Sequence, residues 1–259
     1  LRDYASARLY YERAYRLDIE LGDRYGEGLA VGNIGWVCAM LGDHAAAETF
    51  HEQALVIARE VGNTYHEIYT LMNLSGVAEA QGKAEEAVRY AVQANDLARQ
   101  SKDQSSEAWS HHYLGYAYLA SGQLEEARRA FEQALKMRKE QGQPALANEP
   151  LAGLVQVALR SGDVKFATVY AEEILQYLEN GGTLEGTEEP FRVYLACHQL
   201  LQNIHDPRAG SILQTAHDLL LSQASKISDE KSRRMFLENV PWRREIERLL
   251  VANNSQGAN

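Results

Sequence analysis

Apolar residues recur every three or four positions along most of the chain, which is the period of an amphipathic α-helix. In residues 44–60 the apolar stripe consists of Ala47, Phe50, Ala54, Leu55 and either Ile57 or Ala58. Residues 28–40 carry a second stripe, made of Val31, Ile34, Gly35 and Cys38. Gly42 stands between the stripes, and glycine commonly ends a helix in the left-handed conformation. The pattern predicts two helices joined by a tight turn.

This helix–turn–helix pattern recurs every 40 residues. The turns read Leu1-Arg2-Asp3, Leu41-Gly42-Asp43, Gln81-Gly82-Lys83, Ser121-Gly122-Gln123 and Ser161-Gly162-Asp163. Two further series keep the same step, namely Ala7, Ala47, Ala87, Ala127, Ala167 and Ala14, Ala54, Ala94, Ala134, Ile174. A sixth copy, with two residues inserted, lies around Ala209 and Ala216. Because three series hold one register, the chain is predicted to be a stack of helical hairpins whose small residues let paired helices approach closely.

The two ends depart from the repeat. We assign residues 1–227 to the repeats, with the first one incomplete because no helix precedes residues 3–20. The apolar surface of this first segment, at Leu9, Tyr10, Ala14 and Leu17, is expected to be covered by upstream chain or by a second molecule. The chain lacks an initiator Met, so we expect it to be part of a longer protein.

The last hairpin is preceded and followed by segments outside the repeat. Residues 183–190 are polar and acidic and are predicted to form a loop. Residues 228–252 are predicted to be capping helices, with Phe236 and Trp242 buried against the sixth hairpin, since the end of a helical stack must be sealed. Residues 253–259 are predicted to be a disordered tail.

The copy around Gly122 contains Gly115, Tyr118, Ala127, Phe131 and Ala134, and the copy around Gly42 contains Ile34, Gly35, Ala47 and Ala54. At these positions the chain resembles the tetratricopeptide repeat over roughly residues 1–225. The usual repeat has 34 residues, whereas this one has 40. The longer variant is similar to the repeats of Pins-type polarity adaptors and to the repeat blocks of bacterial STAND-class ATPases and maltose-regulator-like transcription factors. Copies five and six depart from the consensus, with Val155 and His198 near the place of the small glycine.

The resemblance implies an all-α fold, a right-handed α-α superhelix of eleven to thirteen helices in antiparallel pairs. It also implies that the first helix of each hairpin lines a concave groove. Counted back from the turns, the groove-facing candidates are Asn33, Trp36, Tyr69, Met72, Asn73, Trp109, His112, Tyr113, Tyr116 and Gln156. Aromatic side chains are typical anchors at interfaces, and an Asn carboxamide suits the backbone of an extended peptide. Alternatively, Trp36 and Trp109 pack between hairpins.

Composition narrows the choice of partners. The formal net charge is −10 and the sequence pI is about 5.3, which argues against binding of a phosphate backbone. No apolar run reaches the ~20 residues of a membrane span. The two cysteines, Cys38 and Cys197, are too few for a disulfide framework and are expected to be small core residues. We expect a cytoplasmic protein with no nucleic-acid or membrane partner.

Motifs for catalysis are missing from the sequence. Gly76 to Lys83 has the wrong spacing for a phosphate loop, and Gly26, Gly28 and Gly32 lack the strand of a dinucleotide fingerprint. No HExxH motif or nucleophile elbow is present, and the adjacent His111 and His112 point about 100° apart on a helix. We therefore expect no enzyme activity, no metal and no cofactor.

Two functions remain after these exclusions. The first is a scaffold that binds a protein or peptide, as the sensor or interaction region of a larger bacterial signalling protein. Its groove lacks the basic residues of the carboxylate-clamp members of the family, so chaperone tails are not the expected ligand. The second is a structural spacer or an oligomerisation arm that self-associates through its N-terminal helix.

Overall fold

The computed structural model describes residues 4–256, with side chains up to residue 252. Within this range the chain forms thirteen α-helices and no strand, in agreement with the predicted all-α fold. The helices are α1 (Tyr4–Leu21), α2 (Arg24–Met40), α3 (His44–Glu60), α4 (Thr64–Ala80), α5 (Ala84–Ser101), α6 (Gln104–Ala120), α7 (Leu124–Glu140), α8 (Pro144–Arg160), α9 (Val164–Glu179), α10 (Pro190–Asn203), α11 (Arg208–Ala224), α12 (Glu230–Glu238) and α13 (Pro241–Gln256).

Each helix ends at a tight turn with the same geometry over most of the chain. After α2, the N–H of Gly42 donates to the carbonyl of Ala39 at 3.0 Å and the N–H of Asp43 to that of Cys38 at 2.9 Å. This Schellman pair requires a left-handed residue, and Gly42 has φ +80°. Asp43 then caps α3 by accepting from the N–H of Ala46. The predicted turn at residues 1–3 lies outside the described residues.

The helices pair as predicted from the 40-residue register. α2 packs on α3, α4 on α5, α6 on α7, α8 on α9 and α10 on α11, while α1 packs on α2. The even-numbered helices α2 to α10 also contact one another in sequence, so they form the inner side of the superhelix. The predicted small-residue seams are buried, since Ala47, Ala87, Ala127 and Ala167 are fully inaccessible.

The capping helices reach further than the sequence predicted. α12 and α13 pack on α10 and α11, as expected for a cap over the sixth hairpin. They also reach the first hairpin, where the amide of Asn239 donates to the carbonyl of Gly42 at 3.0 Å. Phe236 is fully buried and lies beside Tyr4 of α1, with ring centroids 6.2 Å apart. The cap therefore joins the two ends of the superhelix.

Trp242 and the chain beyond residue 252 differ from the sequence-based expectation. Trp242 is only partly buried, and it packs against Arg192 of α10. The predicted tail of residues 253–259 is wrong for residues 253–256, which continue α13. No glycine interrupts the sequence between Pro241 and Gly257, so nothing local ends the helix earlier. Residues 257–259 lie outside the described part of the chain.

The N-terminal helix α1 exposes the apolar side chains that its sequence singled out. Leu9, Tyr10 and Leu17 are 56%, 65% and 53% exposed. Its opposite side packs on α2, and Tyr4 is buried next to Trp36, with ring centroids 6.1 Å apart. One face of α1 is thus held by the chain, and the other carries an apolar surface that faces solvent.

Removal of the cap is expected to destabilise both ends of the superhelix. A chain ending at residue 227 loses Phe236 and Ile246, both fully buried, and each such side chain contributes about 1.5–3 kcal/mol. Since 1 kcal/mol shifts the Tm of a chain of this size by about 2–4 °C, we expect a decrease of at least about 6 °C. Thermal unfolding followed by circular dichroism measures it, with a chain ending at Gln256 as the control. Equal Tm values for the two chains would show that residues 228–256 are no cap.

Candidate functional site on the inner surface

Two neighbouring recesses lie on the inner side of the superhelix. The first, called the aromatic recess here, has about 880 Å³ of empty space between α2, α4, α6 and residues 186–188. Its aromatic lining residues are Trp36, Tyr65, Tyr69, Trp109 and Tyr113. Because these come from three successive hairpins, the recess runs across the repeat direction, where an extended segment would lie.

The second recess, called the central recess here, has about 750 Å³ of empty space and is enclosed by even-numbered helices and the cap. Asn73, Tyr113 and Glu188 line both recesses and form the boundary between them. At this boundary the hydroxyl of Tyr113 donates to the carboxylate of Glu188 at 2.6 Å. Burial and the negative charge of Glu188 raise the pKa of Tyr113 well above its usual value, so the phenol keeps the proton that it donates.

The loop between α9 and α10 enters the inner surface instead of lying in solvent. Leu184, Thr187 and Glu189 of this loop are buried. The loop is fixed by Glu149 of α8, whose Oε1 accepts from the backbone N–H groups of Glu188 at 2.9 Å and Glu189 at 3.1 Å. The prediction of a loop at residues 183–190 is thus confirmed, but its polar composition gave no sign of its burial.

Charged groups around the central recess form two pairs. Arg192 binds Glu79 through two contacts of 3.1 and 2.5 Å, and its guanidinium lies 4.0 Å from the ring centroid of Tyr116. On the cap side, the fully buried Arg243 pairs with Glu189, whose other oxygen accepts from the indole of Trp242 at 2.8 Å. Both pairs join residues that are distant in sequence, so they hold the walls of the recess together.

Glu149 remains outside these pairs. Its side chain is almost fully buried and its Oε2 has no hydrogen-bond partner in the described structure. Burial, followed by the charge of Glu188, raises its pKa to about 8, although the backbone N–H groups of Glu188 and Glu189 and the charge of Arg138 oppose the shift. A carboxyl group in this state carries a proton at neutral pH unless a cation approaches it.

An aromatic cluster surrounds His112 at the base of the site. The imidazole makes edge-on contacts with Trp109, Tyr113, Tyr116 and Phe131, at centroid distances of 5.0–6.3 Å. Burial, with smaller contributions from Arg192 and Arg138, lowers the pKa of His112 to about 3, so the ring is neutral. The Nδ1 of His112 and the hydroxyl of Tyr116 are buried without a hydrogen-bond partner among the described residues.

Nine of the ten candidate residues line recesses on the inner side. The aromatic recess contains Trp36, Tyr69, Met72 and Trp109, the central recess contains His112 and Tyr116, and Asn73 and Tyr113 belong to both. Gln156 lines a separate recess beside Trp242. Asn33 lies on α2 but lines none of these three recesses.

Packing accounts for part of the lining. Trp109 carries the guanidinium of Arg138 at 4.3 Å from its ring, and Trp36 contacts Tyr4. The amide of Asn73 donates to the carbonyl of Tyr69 at 3.0 Å, so one of its hydrogens is already used within α4. Both tryptophans therefore pack within the fold and still line the aromatic recess.

Sequence reasoning missed most of the charged residues of the site. Glu188, Glu189, Arg192 and Arg243 lie in segments read as a loop, a drifted repeat and a cap, where the 40-residue register no longer assigns inner positions. The acidic pair Glu188-Glu189, next to a glutamate at a groove-facing position of α8, was the only available signal.

Other chemistry finds little support within residues 4–252. No group of three or more His, Cys, Asp or Glu side chains there is arranged to hold a metal ion. No helix among the described residues is long and apolar enough to cross a membrane. Cys38 and Cys197 are buried, and burial raises the pKa of their thiols to about 11 and about 12. Both cysteines are therefore inert core residues, as predicted.

Comparison with known proteins gives a family and a fold. The family model described as "Tetratricopeptide repeat" matches residues 1–60 and 63–140. No curated protein sequence matches the chain. Among solved structures, BtubC from P. vanneervenii is 17% identical, with 88% of this chain and 93% of that chain covered and a TM-score of 0.63.

Two further similar structures contain bound ligands. NprR in complex with its cognate peptide NprX is 15% identical, with 84% of this chain and 60% of that chain covered and a TM-score of 0.63. A Rap protein complexed with Competence and Sporulation Factor is 15% identical, with 96% and 72% covered and a TM-score of 0.62. At such identities the likeness concerns the fold.

The buried Glu149 makes the stability of the chain depend on pH in a definite direction. Its pKa is about 8 in the folded chain and near 4.5 when unfolded, so between these values the folded state binds the additional proton. We expect the free energy of unfolding to fall as pH rises from 5 to 9. In Glu149→Gln this fall should be smaller by at least about 1 kcal/mol, since one pKa unit corresponds to about 1.4 kcal/mol.

Urea unfolding at pH 5, 7 and 9 measures this difference between the two chains. Glu185→Gln is the matched control, because Glu185 is exposed in the same loop. The same pH dependence in wild type and in Glu149→Gln would contradict the assignment.

Proposed function

Because the chain belongs to the tetratricopeptide repeat family, we propose that it is a non-enzymatic scaffold that binds an extended segment of a peptide or protein on its inner surface. The observation that carries the proposal is the aromatic recess, to which three successive hairpins contribute large aromatic side chains. Aromatic anchors in partly desolvated pockets supply much of the binding energy of protein interfaces. Trp36, Tyr69, Met72, Trp109 and Tyr113 then receive side chains of the bound segment.

Asn73 supplies the polar contact in this arrangement. Its side-chain amide lies at the boundary of both recesses, and one of its hydrogens is held by the carbonyl of Tyr69. The remaining hydrogen and the carbonyl oxygen are suited to a backbone N–H and C=O of an extended chain. Asn33, one repeat earlier, would contact the segment about six residues away, given hairpins about 20 Å apart and a rise of about 3.3 Å per residue.

We also propose that the chain is the sensor or interaction region of a larger bacterial signalling protein in the cytoplasm. Its similarity to NprR, solved with a cognate peptide, covers 60% of the length of NprR. The contacts between the cap and the first hairpin support such a role, since a ligand on the inner surface touches elements from both ends of the superhelix. Binding energy there can be transmitted to neighbouring segments.

Peptide binding is tested by selecting ligands from a random peptide display library on the full chain and titrating them by calorimetry. Loss of an aromatic anchor at an interface costs about 2 kcal/mol or more, so Trp109→Ala should weaken binding by about 30-fold. Asn73→Ala should weaken it by about fivefold, since one hydrogen bond is worth about 1 kcal/mol.

The control for this experiment is Phe166→Ala, which removes an exposed aromatic side chain from the outer helix α9. Unchanged affinity in Trp109→Ala and Asn73→Ala, with loss of binding in Phe166→Ala, would place the ligand on the outer surface and refute the proposal.

A second candidate function is an oligomerisation arm, and the exposed apolar face of α1 favours it. If α1 mediates self-association, sedimentation equilibrium of the wild type should give a mass above the monomer that returns to 29.0 kDa in Leu9→Glu/Leu17→Glu. Phe166→Glu, on an outer helix, is the control for a general charge effect. A monomeric wild type at 100 μM would exclude this role.

A further inference from the structure

The charges that line the central recess do not balance. Of the described residues that line it, four are glutamates and one is an arginine, namely Glu79, Glu149, Glu188, Glu189 and Arg192. Arg192 is engaged by Glu79, and Arg243 behind the wall is engaged by Glu189. The recess therefore retains an excess of acidic groups around Glu149 and Glu188.

The orientation of Glu149 is fixed and leaves one oxygen available. Its Oε1 accepts from two backbone N–H groups of the inserted loop, so the carboxyl group cannot rotate without releasing that loop. Its Oε2 is buried without a partner, in a residue that is only 3% exposed. A buried polar atom left in this state costs about 1–3 kcal/mol, which a donor from a ligand would remove.

Further acceptors in the same recess lack donors. The hydroxyl oxygen of Tyr116 and Nδ1 of the neutral His112 are buried without partners among the described residues. A guanidinium carries five N–H donors and an ammonium carries three, and neither has an acceptor. Arginine or lysine thus matches the unsatisfied atoms of the recess, whereas a carboxylate would add to its excess negative charge.

The recess already accommodates a guanidinium between aromatic rings on its opposite side. The guanidinium of Arg192 lies 3.5 Å from the ring centroid of Trp242 and 4.0 Å from that of Tyr116. Aromatic faces attract cations, and more strongly when water is excluded. Tyr113 provides a further aromatic ring next to Glu188.

We propose that the central recess is the subsite for one basic side chain, arginine or lysine, of the bound segment, held by the carboxylates of Glu149 and Glu188. The inference rests on the proposed function, since it names which side chain of the segment enters which recess. The rest of the segment lies in the aromatic recess, on the other side of the boundary formed by Asn73, Tyr113 and Glu188.

The subsite has a pH dependence that a surface ion pair lacks. Glu149 must lose its proton to bind the cation, and its pKa is about 8 in the free chain. The groups that face it are Glu188 and Glu189 of the loop, Tyr113 of α6 and Arg138 of α7. Because arginine stays charged throughout, the affinity for a segment that contains it rises between pH 6.5 and 8.5.

The experiment uses the full chain and pools of seven-residue peptides with a fluorescent label. Each pool carries one fixed arginine at a defined position among random uncharged residues, and its matched pool carries citrulline, the neutral isostere of arginine. Fluorescence anisotropy at pH 7.5 gives the two affinities. At one position or more we expect arginine to bind at least about tenfold tighter, since hydrogen bonds to a charged group are worth about 1.5–3 kcal/mol.

Three substitutions locate the effect. Glu149→Gln and Glu188→Gln should each reduce the preference for arginine to less than about threefold, and Glu149→Gln should also abolish the rise of affinity with pH. The new amide oxygen of Glu149→Gln can still accept from the loop backbone, so the fold should persist. Glu185→Gln, at an exposed position of the same loop, should keep the full preference. If Glu149→Gln does not fold, Glu188→Gln decides.

The outcomes separate this inference from the function on which it rests. Pools that bind without preferring arginine overturn the basic subsite and leave peptide binding intact. A preference that survives both Glu149→Gln and Glu188→Gln places the cation elsewhere and also overturns the subsite. If no pool binds at any position, peptide binding itself fails, and the subsite fails with it.

Discussion

The buried ion pair between Glu189 and Arg243 is the interaction on which the inner surface depends. Arg243 is fully inaccessible, and its guanidinium also donates to the carbonyl of Met40 at 2.7 Å, at the end of α2. One side chain thus connects the cap, the inserted loop and the first hairpin. Loss of one partner from a buried pair typically costs about 3–5 kcal/mol, because the remaining charge stays buried. The closed arrangement and the two recesses exist because this connection holds.

Closure changes the electrostatics of the inner surface. A groove open along its whole length would leave its carboxylates in water, where their charges are screened. Here the loop brings Glu188 and Glu189 next to Glu149 in a space that excludes most solvent, and the pKa of Glu149 rises to about 8. The acidic character of this space follows from three segments meeting, namely α8, the loop before α10 and the cap.

Closure also sets the geometry of ligand binding. In a tetratricopeptide stack the inner helices form a continuous concave face, and each hairpin contacts only its neighbours. In this chain that face is divided at Tyr113 and Glu188 into an aromatic recess and a smaller central recess. A segment bound there meets two chemically different spaces, of which one suits apolar side chains and the other a cation.

The amino-acid sequence by itself determined the helices, their turns and the small residues of the seams, because these depend on interactions between residues close in the chain. Gly42 ends α2, Asp43 caps α3, and Ala47 and Ala87 are buried where the 40-residue register requires it. The same register identifies the inner face, and it assigns Tyr69, Trp109 and Tyr113 to that face. Only the tertiary structure decided how that face closes. The contacts of Asn239 with Gly42 and of Arg243 with Met40 join residues about 200 positions apart. Their formation depends on the small rotations that accumulate from one hairpin to the next, and no local pattern encodes that sum.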